Sequence, residues 1–237
     1  MASALRQKLI HIHIPGIVPY ATASRIQESL VSRFLDSKAH PTTPPPPPHL
    51  LTAQFQPVYT CGRREIGNVS PEQQAFLRAD GRADFVEAMR GGQTTFHGPG
   101  QLIAYPILDL REHKLNPRSY VSLLEETVIA VCSRWGIPGM TTENTGVWTT
   151  PDDKIASIGV HMRRNITSHG VALNLTTDLQ WFERIAACGL KDKSTTSFEV
   201  EGIAELTVEE AGEEFAEELS YRMDGVDGWE KVDLRVP

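Results

Sequence analysis

The order of local signals predicts an α+β fold, a mixed or antiparallel sheet flanked by helices. Three observations predict it. Two strand-like segments, Ile155 to Arg163 and Ile166 to Leu175, are separated by Arg164-Asn165 alone; that spacing reads as a hairpin, not as a strand–helix–strand crossover. Three segments of helical period, near Pro19, Asn116 and Thr207, do not alternate regularly with strands, which argues against a doubly wound parallel sheet. The 237 residues are 40% hydrophobic and 22% charged, enough apolar surface for one substantial core, and residues 1–237 are read as a single catalytic-sized domain without internal repeats.

Taken in order, Leu9 to Ile14 (LIHIHI) alternates like a strand. Pro19 to Phe34 reads as a helix with Ile26, Leu30 and Phe34 on one face. His40 to His49 (HPTTPPPPPH) interrupts the pattern. Proline fixes its torsion and lacks a backbone donor, so the run is an extended segment that stays out of helix and sheet ladders. It reads as a proline-rich surface insertion at about 40–49; a ligand for a polyproline-binding module is the alternative. Strands are expected at Leu51 to Thr60, Asp84 to Met89 and Gln101 to Leu108. Asn116-Pro117 is a helix start, and Val121, Leu124, Val128, Val131 and Trp135 continue it at steps of three and four until Gly136 and Pro138. Thr141 to Thr149 reads as a strand. In the hairpin that follows, Ala156, Ile158, Val160 and Met162 share one face, as do His169, Val171, Leu173 and Leu175. The last helix begins at Thr207, where Thr207 and Glu210 form a capping-box pattern, with Val208, Ala211, Phe215, Leu219 and Met223 as its core stripe.

Charge and cysteines narrow the function classes. A formal net charge of -7 speaks against nucleic acid as a partner. Without a run of about 18 apolar residues, no membrane span is expected. Cys61, Cys132 and Cys188 form no CxxC pair, so neither a metal site nor a disulfide framework is indicated, and a reducing compartment is the natural setting. Residues 1–27 carry Arg6, Lys8 and Arg25 and no acid, a pattern shared by mitochondrial presequences and by a basic lead-in to a first strand.

The richest stretch is Arg90 to Gln101, RGGQTTFHGPGQ, with four glycines, a proline and a histidine between two strand signals. Such composition suits a structural loop or a binding loop; the basic residue, paired glycines and histidine together favour binding. This stretch and its continuation LIAYPILDL resemble the signature of the lipoyl/octanoyl transferase family. Further matches follow in order. They are Pro19-Tyr20 with Gln27; Pro57 to Thr60 with Gly62-Arg63; Thr145 to Trp148; Lys154 to Val160; His169 to Leu175; and Cys188-Gly189-Leu190. Together they cover most of residues 8–200. Phe96 stands where the family usually has tyrosine, Cys61 where an aliphatic residue is common, and the proline run is an addition.

The resemblance implies the fold of lipoate and biotin protein ligase catalytic domains. It implies an acyltransferase of lipoate synthesis that moves octanoyl (or lipoyl) from acyl carrier protein, through a cysteine thioester, to a lysine of an acceptor protein. The implied partners are octanoyl-acyl carrier protein, the lipoyl domains of oxoacid dehydrogenase complexes and the glycine cleavage H protein; the implied location is mitochondrial; no cofactor is required. Residue by residue, it makes Cys188 the nucleophile and Lys154 the group that lowers its pKa and moves its proton. The acyl-binding set is Arg90, Gly91, Gly92, Gln93, Thr94, Thr95, Phe96, His97, Ser157, Ile158, Gly159, Gly170, Val171 and Ala172.

The chemistry agrees with these types. Thiolate is the reactive form of cysteine, and a neighbouring ammonium favours it. Small residues leave room for an acyl chain, and backbone donors such as the Gly189 amide suit a developing oxyanion. His97 is a candidate to orient the acyl carbonyl, His169 to line the pocket, and Arg63, Arg64, Arg163 and Arg164 to attract acidic carriers. Cys132 reads as core, and Cys61, beside Gly62-Arg63, receives no role. Three rivals stand beside this reading. They are an ATP-dependent lipoate or biotin ligase, although no GRGRxG-type loop is present; a cysteine hydrolase pairing Cys188 with His97 or His169; and a non-catalytic binder of lipoyl domains. Nucleotide dependence, release of free octanoate, or binding without turnover would separate them in turn.

Overall fold

The computed structural model describes residues 7–40, 42–185 and 193–233. Its elements follow the apolar periodicity closely. Strand β1 (Gln7–Val18) leads into helix α1 (Tyr20–Ala39), which buries Ala23, Gln27, Leu30, Phe34 and Ser37 at steps of three and four. Strands β2 (His49–Phe55) and β3 (Val58–Cys61) follow. One continuous strand is expected here. Gln56-Pro57 instead breaks it, and the two pieces enter different sheets because Pro57 has no N–H for a ladder.

A short helix α2 (Pro71–Leu77), strands β4 (Asp84–Glu87), β5 (Thr95–His97) and β6 (Gln101–Ile107), and helix α3 (Pro117–Arg134) come next. The Asn116 side chain caps α3 by accepting from the Arg118 and Ser119 amides. The strand expected at Thr141 to Thr149 contracts to β7 (Val147–Trp148); Gly146 at φ +127° and the turns before it cannot hold extended pairing. Strands β8 (Asp153–Arg163) and β9 (Ile166–Asn174) form the expected hairpin, and Arg164 and Asn165 both take positive φ (53° and 67°), as a two-residue primed turn requires. Strand β10 (Ser194–Thr195), helix α4 (Val208–Arg222) with the Thr207/Glu210 capping box, and β11 (Val226–Asp233) complete the order.

The large sheet runs β10-β8-β9-β6-β2-β1-β11, with β7 on β8; a second sheet runs β4-β3-β5. The large sheet is mixed. β1 pairs parallel with β2 and with β11, while β2, β6, β9 and β8 pair antiparallel in succession. Helix α1 makes the crossover that the parallel β1–β2 pair needs. Alternation along each strand then sends side chains to two cores. Leu50, Leu102, Ala104, Val171 and Leu173 meet α3 and α4 on one face, whereas Leu51, Ile103, Tyr105 and Ile107 meet Leu30 and Phe34 of α1 on the other. The proline run is mostly exposed, but Pro48 is not outside the ladder: its carbonyl accepts from the Ile10 amide at 2.9 Å. Proline lacks a donor, not an acceptor. Among the described residues, no helix is long and apolar enough to cross a membrane.

Candidate functional site

The β8–β9 hairpin makes the floor of a cleft of about 280 Å³. Ala156, Ile158 and Val160 of β8 and Val171 and Leu173 of β9 point to the core under α3. Their neighbours therefore point the other way, as two cross-strand pairs, Ser157 opposite Ala172 and Gly159 opposite Gly170. All four are small. The floor is open because side chains are missing from it. A methyl group at Gly170 would lie 2.4 Å from the Ala104 carbonyl oxygen, and one at Gly159 would lie 2.9 Å from that of Gly91.

The loop Arg90 to Thr94 lies across this floor. The Gly91 amide donates to the Val160 carbonyl (3.0 Å) and the Arg63 amide to the Arg90 carbonyl (2.9 Å). Arg90 is 7% exposed, and its guanidinium organises the loop. Nη1 donates to the carbonyls of Gly91 and Gln93 (2.9 Å each), Nη2 to the Thr60 carbonyl (2.6 Å), and Nε and Nη2 to Thr60 Oγ1 (3.1 and 2.8 Å). Glu65 accepts from the Thr94 amide and hydroxyl and holds the end of the loop.

Strand β5 then sorts its three residues by alternation. Thr95 and His97 face the cleft. Phe96 does not: it stacks on Trp181 (5.0 Å, 3°) and packs against Tyr59 and Phe182 in the core of the small sheet. Its assignment to acyl binding is corrected on that ground. Gly91 is exposed; its amide donates to Val160 and its carbonyl lies against Gly159, so it holds the loop on the cleft floor by its backbone. Arg90, Gly92, Gln93, Thr94, Thr95, His97, Ser157, Ile158, Gly159, Gly170, Val171 and Ala172 all line the cleft.

His97 has both ring nitrogens occupied, Nδ1 by Gln101 Oε1 (2.8 Å) and Nε2 by Thr60 Oγ1 (3.2 Å). Burial and the Arg90 charge push its pKa down to about 3. It therefore lines the site without a nitrogen to offer an acyl carbonyl, contrary to the expectation. His169 does not line the cleft; it packs edge-on against Tyr105 at φ +56°, its amide donates to Gln27 Oε1, and burial lowers its pKa to about 3. A hydrolase pair built on either histidine needs an available basic nitrogen, which His97 lacks.

Lys154 lies at the other end of the floor, 5% exposed. Its Nζ donates to the Thr145 carbonyl (2.9 Å) and sits 4.5 Å from the centre of the Trp148 ring. Gly146 makes this seat possible, since a methyl group there would approach Lys154 Nζ to 3.2 Å and the Ala156 carbonyl oxygen to 2.6 Å. The Gly146 amide is held by Glu125 of α3 (3.1 Å), and Trp148 Nε1 by the Asn144 carbonyl. Cys132 is buried with its thiol pushed up to about 12, and Cys61 is buried with its thiol raised, both mainly by desolvation; neither has the environment of a reactive thiol.

Cys188 and Gly189 lie outside the described residues. The residues that flank them do not: Ile185 on one side and Ser194 and Thr195 on the other all line the cleft, and Thr195 pairs with Lys154 in the β10–β8 ladder. Asn144, Thr145, Trp148, Tyr105 and Phe182 also line it. None was assigned to the site from the sequence, although Thr145 to Trp148 stood out as a motif; an indole one turn of chain from a lysine was the available signal.

A family model described as the lipoyl protein ligase A/B catalytic domain matches residues 19–220. The chain is 50% identical over 188 residues to a "Probable octanoyltransferase" of Schizosaccharomyces pombe, covering 79% of this chain and 83% of that protein. It is 45% identical to the "Octanoyl-[acyl-carrier-protein]:protein N-octanoyltransferase LIPT2, mitochondrial" of Danio rerio, covering 82% of each. Among solved structures, a putative lipoate protein ligase from T. acidophilum superposes with TM-score 0.66 at 13% identity, over 96% of this chain and 89% of that one. That likeness carries the fold alone.

Proposed function

Because this chain belongs to the lipoyl protein ligase A/B catalytic-domain family, we propose that it is an octanoyltransferase, which passes an octanoyl group from acyl carrier protein to a lysine of a lipoyl domain by way of a thioester on Cys188. The observation that carries the mechanistic part is the seat of Lys154. A buried amine stands in a cleft floored by small residues, and Ile185 and Ser194, on either side of Cys188 in the sequence, both line that cleft. Cys188 is three residues beyond Ile185 in the sequence. The other two cysteines are core residues with raised pKa values.

In the first half-reaction the Cys188 thiolate attacks the carrier thioester carbonyl. The carrier sulfur leaves and takes a proton from Lys154, which had accepted or shared the Cys188 proton. In the second, the acceptor amine attacks the Cys188 thioester, the C–S bond breaks, and the proton released by the amine returns through Lys154 to Cys188. The acyl tail lies on the Ser157–Gly159 and Gly170–Ala172 floor. Burial is worth about 0.8 kcal/mol per methylene, so a medium chain binds measurably better than acetyl. Exposed Arg64 at the cleft, with Arg63, Arg163 and Arg164 also exposed, offers positive charge to acidic carriers despite the net charge of -7.

The acceptors of this reading are the lipoyl domains of oxoacid dehydrogenases and the glycine cleavage H protein, and the compartment is the mitochondrion, as for the Danio rerio relative by name. Intact-mass spectrometry of the protein quenched after mixing with octanoyl-acyl carrier protein tests the chemistry. One octanoyl adduct mapping to Cys188 and absent from Cys188→Ala is expected. Label on Cys61, or transfer that continues without any cysteine adduct, would defeat the thioester. Imaging of the native chain in its own cells tests the compartment, and a purely cytosolic signal would count against it.

A further inference from the structure

A row of buried side chains runs behind the cleft from Arg90 to the strand beside Lys154, and its hydrogen-bond direction is determined from both ends. At one end stand carbonyl oxygens, which only accept. Gln101 Nε2 lies 3.3 Å from the Phe96 oxygen, and Asn174 Nδ2 lies 3.0 Å from the Thr196 oxygen. Both amides are thereby oriented. Gln101 Nε2 donates to Asn174 Oδ1 (2.9 Å), which leaves Gln101 Oε1 to accept from His97 Nδ1 (2.8 Å). Nδ1 therefore carries the hydrogen.

At the other end stands a guanidinium, which only donates. Arg90 Nε and Nη2 both point at Thr60 Oγ1. That hydroxyl must send its own hydrogen elsewhere, and His97 Nε2 is 3.2 Å away. Nε2 is therefore bare. A second proton on His97 would set three donors against one hydroxyl oxygen. The far end of the row reaches Lys154 through the backbone: the Thr196 amide donates to the Lys154 carbonyl (2.9 Å), and Thr195 is the ladder partner of Lys154.

We propose that Thr60, His97, Gln101 and Asn174 form a positioning chain of single polarity that ties the Arg90 loop to the strand against Lys154, with His97 as a fixed neutral link and not an acid or base of the reaction. This rests on the acyltransferase reading above. Thr60 and Asn174 are 1% and 3% exposed and do not line the cleft, so changes there reach the substrate only through their neighbours. The charged or titratable groups that face the His97 ring are Arg90 and His169, and both disfavour its protonation.

The test has a spectroscopic arm and a kinetic arm, both on the full chain. Imidazole ¹⁵N NMR from pH 5 to 8 is expected to give a protonated Nδ1 and a bare Nε2 for His97, constant over the range. Asn174→Asp keeps the acceptor for Gln101 but turns a second acceptor toward the Thr196 carbonyl. It should lower kcat for transfer from octanoyl-acyl carrier protein about tenfold or more, with KM within about threefold. Thr60→Val should disturb the His97 ¹⁵N pattern and lower transfer, and Thr60→Ser, which keeps the hydroxyl, should restore both. A His97 that titrates in this range, an Nε2-protonated ring, or Thr60→Val with native spectrum and native kcat would overturn the proposal. If Asn174→Asp fails to fold, the Thr60 pair decides. A native chain that transfers no octanoyl defeats the acyltransferase reading instead, and the ¹⁵N pattern then still decides the polarity of the chain.

Discussion

Arg90 and Lys154 are two buried basic side chains on one cleft, at 7% and 5% exposure, and they are held in different ways. The Arg90 guanidinium makes five hydrogen bonds to Thr60, Gly91 and Gln93; its planar fork matches a ring of backbone oxygens, and every donor direction is used in shaping the loop. Lys154 has a flexible stem, a carbonyl at 2.9 Å and the face of an indole. The first arrangement is architecture. The second is a point donor on a flexible stem, and the proton transfer proposed for it is chemistry that arginine does poorly. Two buried basic side chains on one cleft are thus held by different contacts, a planar fork on loop oxygens and a point donor beside an indole.

Substitutions should separate the two sharply. The largest effect is expected at Lys154. Lys154→Met should slow formation of the acyl-enzyme about a thousandfold, within the range of general acid–base contributions, while the melting temperature moves little because methionine fills the same slot. Lys154→Arg keeps the charge but holds its proton, so it should be slow too. Single-turnover mass spectrometry with thermal melts reads both, and a fully active Lys154→Met would remove the contrast with Arg90.

The reverse pattern is expected for Arg90. Arg90→Met strands the buried Thr60 carbonyl and releases the part-buried carbonyls of Gly91 and Gln93, at about 2 kcal/mol, a fall in Tm of roughly 4–8 °C for a chain of this size. Arg90→Lys should not recover it, since one ammonium cannot reproduce the fork. Calorimetry checks this; an unchanged Tm would show that the loop holds without the guanidinium.

A smaller effect sharpens the picture of the residues behind Arg90. His97 has a folded pKa of about 3 against an ordinary value of 6.5, so the unfolded chain binds its proton first. Its contribution to stability is complete above about pH 6.5 and is lost as the pH falls toward 3; by pH 5 the loss is roughly 2 kcal/mol. Tm should therefore fall more steeply between pH 7 and pH 5 in the native chain than in His97→Gln. Parallel slopes would mean that His97 is not held neutral.

The smallest effect is expected far from both. Deleting Thr43 to Pro47 while keeping Pro48, whose carbonyl serves Ile10, should leave turnover within about threefold, because exposed loop segments are altered at little cost in closure entropy. Loss of activity in a folded deletion would give the proline run a role in the site.

Features that depend on neighbours along the chain could be read from local signals. The 155–175 hairpin, the α3 start at Asn116-Pro117 and the Thr207/Glu210 box were legible because period, cap and turn chemistry are local. The motif order was legible too, and with it the family. What those motifs touch depends on contacts between distant segments. Pro57 sent two halves of one apolar run into different sheets, and β11 closed the sheet edge beside β1 through a pairing that no local pattern announces. Within RGGQTTFHGPGQ, strand alternation turned Phe96 into the core of the small sheet and His97 toward the cleft. His97 was then neutralised as a base by Thr60 and Gln101, the first of them 37 positions away. Hydrogen-bond saturation is a property of atoms brought together from distant segments; a sequence supplies the donors and acceptors, and only the packed chain settles which of them remain available.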